Sequence, residues 1–579
     1  MKIIIRKAAN TIIHKYISYT LILLLITLII STIILGSVPP VDRDALTHHL
    51  FIPKLWLKHG GIYEIPEIPF SYYPMNIDLL YTIPLYFGND IIPKYIHYYF
   101  ALATALLLYR HLAKRLGSQF GLLGALFFLS VPIIVKLSIT VYVDLGVVFF
   151  TTASLLLLLY WAETNFQIRY LVLAGLCCGL AAGSKYNGII AIVALTLLAP
   201  IIHQQTVPKE RQSNCKALLW GFVFVVATMI SFSPWLIRNY AWTGNPIYPL
   251  HNSLFQRLNS QGITLQSTQS INTSDPLHQT TSQTSNAFIS RMILYNEPWW
   301  QVSLLPIRFF FEGQDDNPQF FDGKLTPFLL FLPALAFLIR SRDRQQRLEQ
   351  NILFSFALLY FFFTFFQEAI RVRYIVPIVP PLVILSMYGL HRLINQFLLW
   401  NNFIGFKITS IYFIAVCIPG LMLWYNWQYV ASQFKTVNPL SYLQGTVSRD
   451  EYITNFRPEY PVIKYANSVV PPDAKVLCLF LGNRGYYMDF WPVFEQPYKA
   501  SAFSLFSEMT NPKKDALLEE MRQRNITHVI LRDDITVSWF NQLNEEKISF
   551  IAPLLNGASD PLFKNGGYTF FTVVQNVSR

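Results

Sequence analysis

Eleven stretches of this chain stay apolar for long enough to count as candidate membrane segments: 17–37, 92–110, 119–136, 140–161, 170–184, 187–203, 217–237, 326–340, 352–368, 374–390 and 405–427. A helix needs about 20 apolar residues, roughly 17 to 25, to cross a bilayer core. The stretches 170–184 and 326–340 are short for that, and 170–184 with 187–203 also reads as one hairpin or re-entrant element. The pattern predicts a polytopic α-helical membrane protein with about eleven crossings.

The polar stretches between these segments differ in length and charge. Short ones carry Arg110, Lys114 and Arg115; Arg169; Lys209, Arg211 and Lys216; Arg340, Arg342, Arg344 and Arg347; and Arg392, while Lys2, Arg6, Lys7 and Lys15 precede the first segment. With eleven crossings all of these fall on one side, which the positive-inside rule makes cytoplasmic. Three longer stretches then share the opposite face: 38–91, 238–325 and the tail from 428. The middle of the second, 257–287, is rich in Ser, Thr, Gln and Asn, a composition that favours disorder. The first segment is too long for a cleavable signal and lacks a small-residue cleavage site, so it reads as a retained anchor.

The tail has a different rhythm. Lys475 to Leu481 reads as a buried strand, Asp515 to Arg524 as a helix with Asn511-Pro512 near its start, and Thr527–Arg532 and Tyr568–Val574 as further strands. The expected organisation is a membrane domain over 1–427, with outer loops 38–91 and 238–325, and a small extracytoplasmic α/β domain over 428–579.

Composition agrees with this division. Of 579 residues 53% are hydrophobic and 13% charged, and the mean hydropathy is +0.36, whereas soluble domains carry about 25% charged residues. The net charge of +12 is spread over short loops, which argues against a nucleic-acid partner and for a bilayer. The five cysteines show neither a disulfide framework nor zinc spacing.

Candidate chemistry gathers on the outer side. Asp42 and Asp44 follow the first segment, with His48 and His49 one turn on. On an extended segment two residues apart means the same side, so one carboxylate can act as general base and the other assist it. A solvated loop start would look the same. The same side chains could take a divalent metal through Asp42, Asp44 and His48, although no HExxH-type spacing accompanies them. Asp144 sits near the outer end of an apolar helix, where a carboxylate either finds a partner, lines a cavity or reaches water. Lys185 in Gly183–Gly188 breaks the positive-inside pattern, as an anion ligand would, or as a lysine snorkelling to headgroups does. Arg238 ends one segment, and Arg371 and Arg373 open another; guanidinium forks suit phosphate oxygens, and also Glu368 or headgroups. Trp56, Tyr72, Tyr73, Trp299 and Trp300 read as an interfacial aromatic belt.

The run Asp44 to Gly60 resembles the first outer loop of GT-C glycosyltransferases, in particular the protein-mannosyltransferase-like and aminoarabinose-transferase-like bacterial branch. Asp144, Arg238-Asn239 with Gly244-Asn245-Pro246-Ile247-Tyr248-Pro249, Arg373-Tyr374 with Pro377 and Pro380, and Gly482 to Tyr487 are similar to features of the same group. The resemblance covers nearly the whole chain and rests on the order of these features. It implies an inverting transferase that moves a hexosyl or pentosyl group from a polyprenyl-phosphate sugar to a glycolipid, polysaccharide or protein, building cell-envelope glycan on the outer face of a bacterial inner membrane. It implies Asp44 as base, Asp144 as a second acidic position, and Lys185, Arg238, Arg371 and Arg373 around the donor phosphate. His48, His49, Asn239, Asn245 and Tyr248 would contact acceptor or shape the loops. Many members carry adjacent acidic residues in this loop; here Ala45 follows Asp44, which leaves the base open between Asp42 and Asp44. The competing readings are a transporter or flippase of an anionic lipid or lipid-linked sugar, against which stand the absence of repeated halves and the one-sided charge, and a non-catalytic assembly subunit.

Overall fold

The computed structural model describes residues 2–261, 287–339, 341, 343–365, 370–404, 408–495, 516–543 and 545–573. Most of the Ser/Thr/Gln/Asn-rich stretch, Glu368, Asn511-Pro512, Asp515 and Val574 therefore lie outside the described residues. The chain forms two compact units. Unit 1 takes Met1–Val38, Tyr72–Gly262 and Ser285–Pro439; unit 2 joins Pro39–Ser71 to Leu440–Arg579 and includes Ile263–Thr284.

Unit 1 is helical. Its chain runs through α1 (Lys2–Gly36), then, beyond the α2 segment of unit 2, α3 (Asn76–Tyr86), α4 (Ile92–Leu116), α5 (Ser118–Ser130), α6 (Pro132–Ser138), α7 (Asp144–Glu163), α8 (Ile168–Ala182), α9 (Gly188–Thr206) and α10 (Asn214–Thr243). Helices Phe328–Leu338, Arg344–Phe365, Val379–Ile404 and Ile408–Val437 follow, besides shorter ones such as Ala287–Leu294 and Val372–Ile375. A helix thus occupies each of the eleven apolar stretches. Among the described residues six helices are long and apolar enough to cross a membrane, or seven if one bent pair counts as a single span. That pair is α5 and α6, bent by 67°. The bend falls at Val131-Pro132, where Pro132 opens α6 because its missing N–H costs nothing at a first helical position. The short α8 packs on both α7 and α10. Gly175 and Gly179 let it come close: a Cβ at Gly175 would lie 2.6 Å from Ala227 Cβ, and one at Gly179 would strike the Thr228 carbonyl.

Unit 2 contains a five-stranded sheet of order β2-β1-β3-β5-β4, with β1 (Lys475–Leu479), β2 (Trp491–Glu495), β3 (Ile526–Arg532), β4 (Phe563–Asn565) and β5 (Tyr568–Thr572). β1 runs parallel to β2 and β3, and β5 antiparallel to β3. Both faces are buried. Leu477, Leu479, Val529 and Leu531 pack under helices Ala516–Gln523, Asp533–Phe540 and Glu545–Leu555. Val476, Cys478 and Ile530 pack under helix Tyr460–Val469. That is why β1 reads as an unbroken apolar run rather than an alternating one. Gly566 and Gly567, at φ +57° and +80°, make the tight β4–β5 turn that needs two left-handed residues. The other part of unit 2 is the loop after α1, with π-helical Ala45–His49 and α2 (Phe51–His59).

Candidate active site

In unit 1 one group of buried charges lies at the start of α7. Asp144 is its first residue, where the helix dipole favours a carboxylate. Asp144 Oδ1 accepts a hydrogen bond from Lys185 Nζ at 2.7 Å. Lys185 comes from the short connection between α8 and α9, and its ammonium also lies 5.5 Å from the centre of the Tyr374 ring. The Arg373 guanidinium is 5.3 Å from the same ring and 5.4 Å from that of Tyr142. Tyr374 is therefore a shared aromatic face between two cations. Asp144 Oδ2 is buried and has no hydrogen-bond partner among the described residues. Buried polar atoms are rarely left so.

His97 of α4 holds this helix start in place. Its Nε2 accepts from the Leu145 N–H at 2.9 Å, so the ring hydrogen sits on Nδ1, which donates to the carbonyls of Leu137 (2.9 Å) and Thr140 (3.1 Å). A neutral imidazole thus spans the break between α6 and α7.

A second cation cluster forms around Arg238, near the end of α10. Its Nε and Nη2 donate to Asn239 Oδ1 at 3.1 and 2.8 Å, and Nη2 also to the Tyr73 carbonyl at 3.3 Å. The guanidinium lies between the rings of Trp235 and Trp242, at 4.4 and 4.8 Å. Its Nη1 is buried without a hydrogen-bond partner among the described residues. Asn239 Nδ2 donates to the Tyr72 carbonyl and to Tyr186 Oη, at 2.8 and 3.0 Å. Tyr186 in turn donates to the Tyr248 carbonyl at 2.7 Å. Because Tyr186 follows Lys185, one short loop serves both clusters. Gly244, at φ +69°, ends α10 so that Asn245 can cap the turn that follows: its Oδ1 accepts from Ile247 N–H, and its Nδ2 reaches the Leu250 carbonyl.

In unit 2 the first outer loop differs from its sequence-based expectation. The chain turns helical at Arg43 rather than staying extended. Leu46 N–H donates to the Asp42 carbonyl at 3.1 Å, and Leu50 N–H to that of Ala45 at 2.9 Å. The argument that Asp42 and Asp44 share a side by strand alternation therefore fails, since alternation holds only for a strand. Asp42 faces Tyr452; burial first, and the Asp42 carboxylate second, push that phenol above its ordinary range. His48 stacks on Phe70 at 4.6 Å and lies 4.0 Å from His49. Among the described residues no three His, Cys, Asp or Glu side chains converge as a metal set, so Asp42, Asp44 and His48 are not arranged as one.

Other assignments separate. Arg371 pairs with Asp322 at 3.2 Å. Asn245 and Tyr248 shape the turn after α10. Trp299 and Trp300 are exposed, as an interfacial belt requires, but Trp56 and Tyr72 are buried. Sequence reading missed His97, Tyr186 and Tyr374 as parts of the charged centre. Tyr374 adjoins Arg373 and Tyr186 adjoins Lys185, so adjacency was a usable signal; His97, inside the aromatic run Tyr95–Phe100, offered none.

The architecture is similar to that of solved membrane glycosyltransferases. ArnT from Cupriavidus metallidurans superposes in its apo state with a TM-score of 0.56 at 11% identity, covering 96% of this chain and 98% of that one. ArnT bound to undecaprenyl phosphate gives 0.54 at 12% identity, with the same coverage. The oligosaccharyltransferase of Archaeoglobus fulgidus, tethered to an acceptor peptide containing the NVT sequon, gives 0.51 at 12% identity over 92% of this chain and 72% of that one. In sequence, residues 91–237 match the dolichyl-phosphate-mannose-protein mannosyltransferase family. No curated protein sequence matches. The resemblance drawn from the first loop and its companions is thus borne out.

Proposed function

We propose that this protein is an inverting glycosyltransferase that uses a polyprenyl-phosphate-linked sugar. The observation that carries the reading is the pair of buried cation clusters, Lys185 with Arg373 around Tyr374, and Arg238 between two indoles with a free Nη1. Cations fixed in a low-dielectric setting stabilise charge that develops on a leaving phosphate, and need no reorganisation as it develops. The undecaprenyl phosphate in the ArnT complex supports a lipid phosphate as that group.

In this mechanism a first-loop carboxylate, Asp44 by resemblance, removes the proton from an acceptor hydroxyl. The oxygen attacks the anomeric carbon, the bond from that carbon to the phosphate oxygen breaks, and the lipid phosphate leaves with the electron pair. Lys185, Arg238 and Arg373 receive the new charge; Asp144 holds Lys185 in place. Arg371, tied to Asp322, is assigned a lesser part. The proposed setting is a bacterial inner membrane with eleven crossings, a cytoplasmic N-terminus and an external tail. The acceptor is a glycolipid, polysaccharide or protein.

The test is sugar transfer by purified protein, with mixed polyprenyl-phosphate sugars and native lipid extract. Transfer by the wild type that Asp44→Asn abolishes and Asp42→Asn only weakens supports the assignment. The reverse order moves the base to Asp42. Full transfer by both variants removes the first loop from the chemistry, and wild-type lipid flipping without transfer overturns the enzyme reading.

A further inference from the structure

We propose that the tail loop Gly485–Asp489 is a clasp that positions the first outer loop, so that the C-terminal sheet acts in catalysis through Asp42 and Asp44. The inference rests on the first loop supplying the base. Tyr487 donates from its hydroxyl to the Pro40 carbonyl at 2.7 Å, and the Tyr486 N–H donates to the Leu46 carbonyl at 3.1 Å. Asp42 and Asp44 lie between these two anchor points. Lys54 of α2 spends all three ammonium hydrogens on the same tail loop: on the carbonyls of Tyr486 (2.9 Å) and Met488 (2.8 Å), and on Asp489 Oδ1 (2.9 Å). Burial lowers its pKa, against the hydrogen bond and charge of Asp489. Lys58 adds the carbonyls of Asp489 and Pro472, at 3.1 and 3.2 Å.

The clasp is itself fixed from the domain side. Asn467, on the helix over the sheet, donates to the Tyr487 carbonyl at 2.8 Å and accepts from the Asp489 N–H at 2.9 Å. Arg484 pairs with buried Glu459 at 2.7 Å. Gly485 is needed for the approach, since a Cβ there would run into the Phe51 ring. The sheet thus anchors a loop whose outward bonds go to peptide carbonyls on either side of the two aspartates. Misplacing a reacting group by about 1 Å costs on the order of 10²-fold in rate, which is the scale such a clasp controls.

Two variants and two readouts test this. In Gly485→Ala, kcat should fall by roughly 10²-fold, and in Tyr487→Phe by about tenfold, with the KM for lipid-linked donor nearly unchanged in each. In the Asp44→Asn background Gly485→Ala should cost little more, because there is no base left to misplace. Hydrogen exchange over residues 40–50 should rise in both variants while that over β3 and β5 stays as in the wild type. This second readout needs no transfer activity, so it separates failure of the clasp from failure of the glycosyltransferase reading. Unchanged exchange over 40–50 overturns the clasp. Raised exchange with unchanged kcat overturns its catalytic role, as does a full additive loss in the Asp44→Asn background. If Gly485→Ala does not fold, Tyr487→Phe carries the same comparisons.

Discussion

Glu349 and Asp144 are both carboxylates buried among the helices of unit 1, yet their surroundings differ. Glu349 accepts from His111 (2.6 Å), Tyr388 (2.5 Å) and Arg115 (2.8 Å), which engages both its oxygens. Glu163 next to it takes Lys114 on one oxygen and Arg115 on the other. Among the described residues only Arg115 Nε stays without a partner there. Asp144 gives one oxygen to Lys185 and keeps the other buried and unpartnered, and Arg238 keeps Nη1 so. The first carboxylate, with both oxygens engaged, ties helices together; the second is the one proposed above to stand beside a bound phosphate. Equal burial and equal charge therefore do not imply equal purpose: the count of satisfied atoms does the sorting.

Four substitutions or conditions sharpen or break that contrast. The largest effect is expected from Lys185→Met, which strands Asp144 and removes a cation proposed to meet the phosphate: transfer should fall by about 10³-fold, and restoring neutrality with Asp144→Asn should recover folded yield but not transfer. Recovery of transfer in the double variant would make the pair structural like Glu349. Glu349→Ala should lower stability by about 3–5 kcal/mol, because it leaves buried donors unmatched, while transfer per folded molecule holds; thermal unfolding in detergent beside the transfer assay reads both. Arg238→Lys keeps charge but loses the planar fork between two indoles, so donor KM should rise by about tenfold, near 1.4 kcal/mol, with kcat less affected. The smallest effect concerns Glu297, a saturated carboxylate in the outer loop that precedes Phe328–Leu338. Burial pushes its pKa up, but hydrogen bonds from Arg291 and Arg308 outweigh this and hold it below the ordinary value. A depressed carboxylate contributes stability that is present above its unfolded pKa and is lost as pH falls through the folded one. The stability difference between wild type and Glu297→Gln should accordingly be flat at neutral pH and shrink only in acid.

Much of this was legible beforehand. The helices follow from apolar run length, and β1, β3 and β5 from short apolar runs bounded by turn residues. β2 was not legible because Pro492 argues against a strand; it is tolerated at the edge of the sheet, where no second neighbour needs its N–H. Lys185 and Arg238 could be picked out because each is a cation where topology disfavours one. The pairing of Lys185 with Asp144 could not, since it joins residues far apart in sequence. The helical turn at Arg43 and the burial of Trp56 belong to the same class: each depends on long-range packing, which no local period reports. His97 shows the limit most clearly, as its three backbone contacts lie on α6, on α7 and in the break between them.

The discontinuity of unit 2 has a consequence for biogenesis. Its first part, Pro39–Ser71, emerges early in synthesis, and its second begins only at Leu440. At roughly 5–20 residues per second the ribosome needs on the order of 20–70 s to bridge that gap. Until then the early part has no sheet to close on, because all five strands, Lys475–Leu479 to Tyr568–Thr572, follow Leu440. Chains stalled before the strands would thus insert their helices yet lack the sheet, so maturation of this membrane protein is gated by the late arrival of β1 to β5.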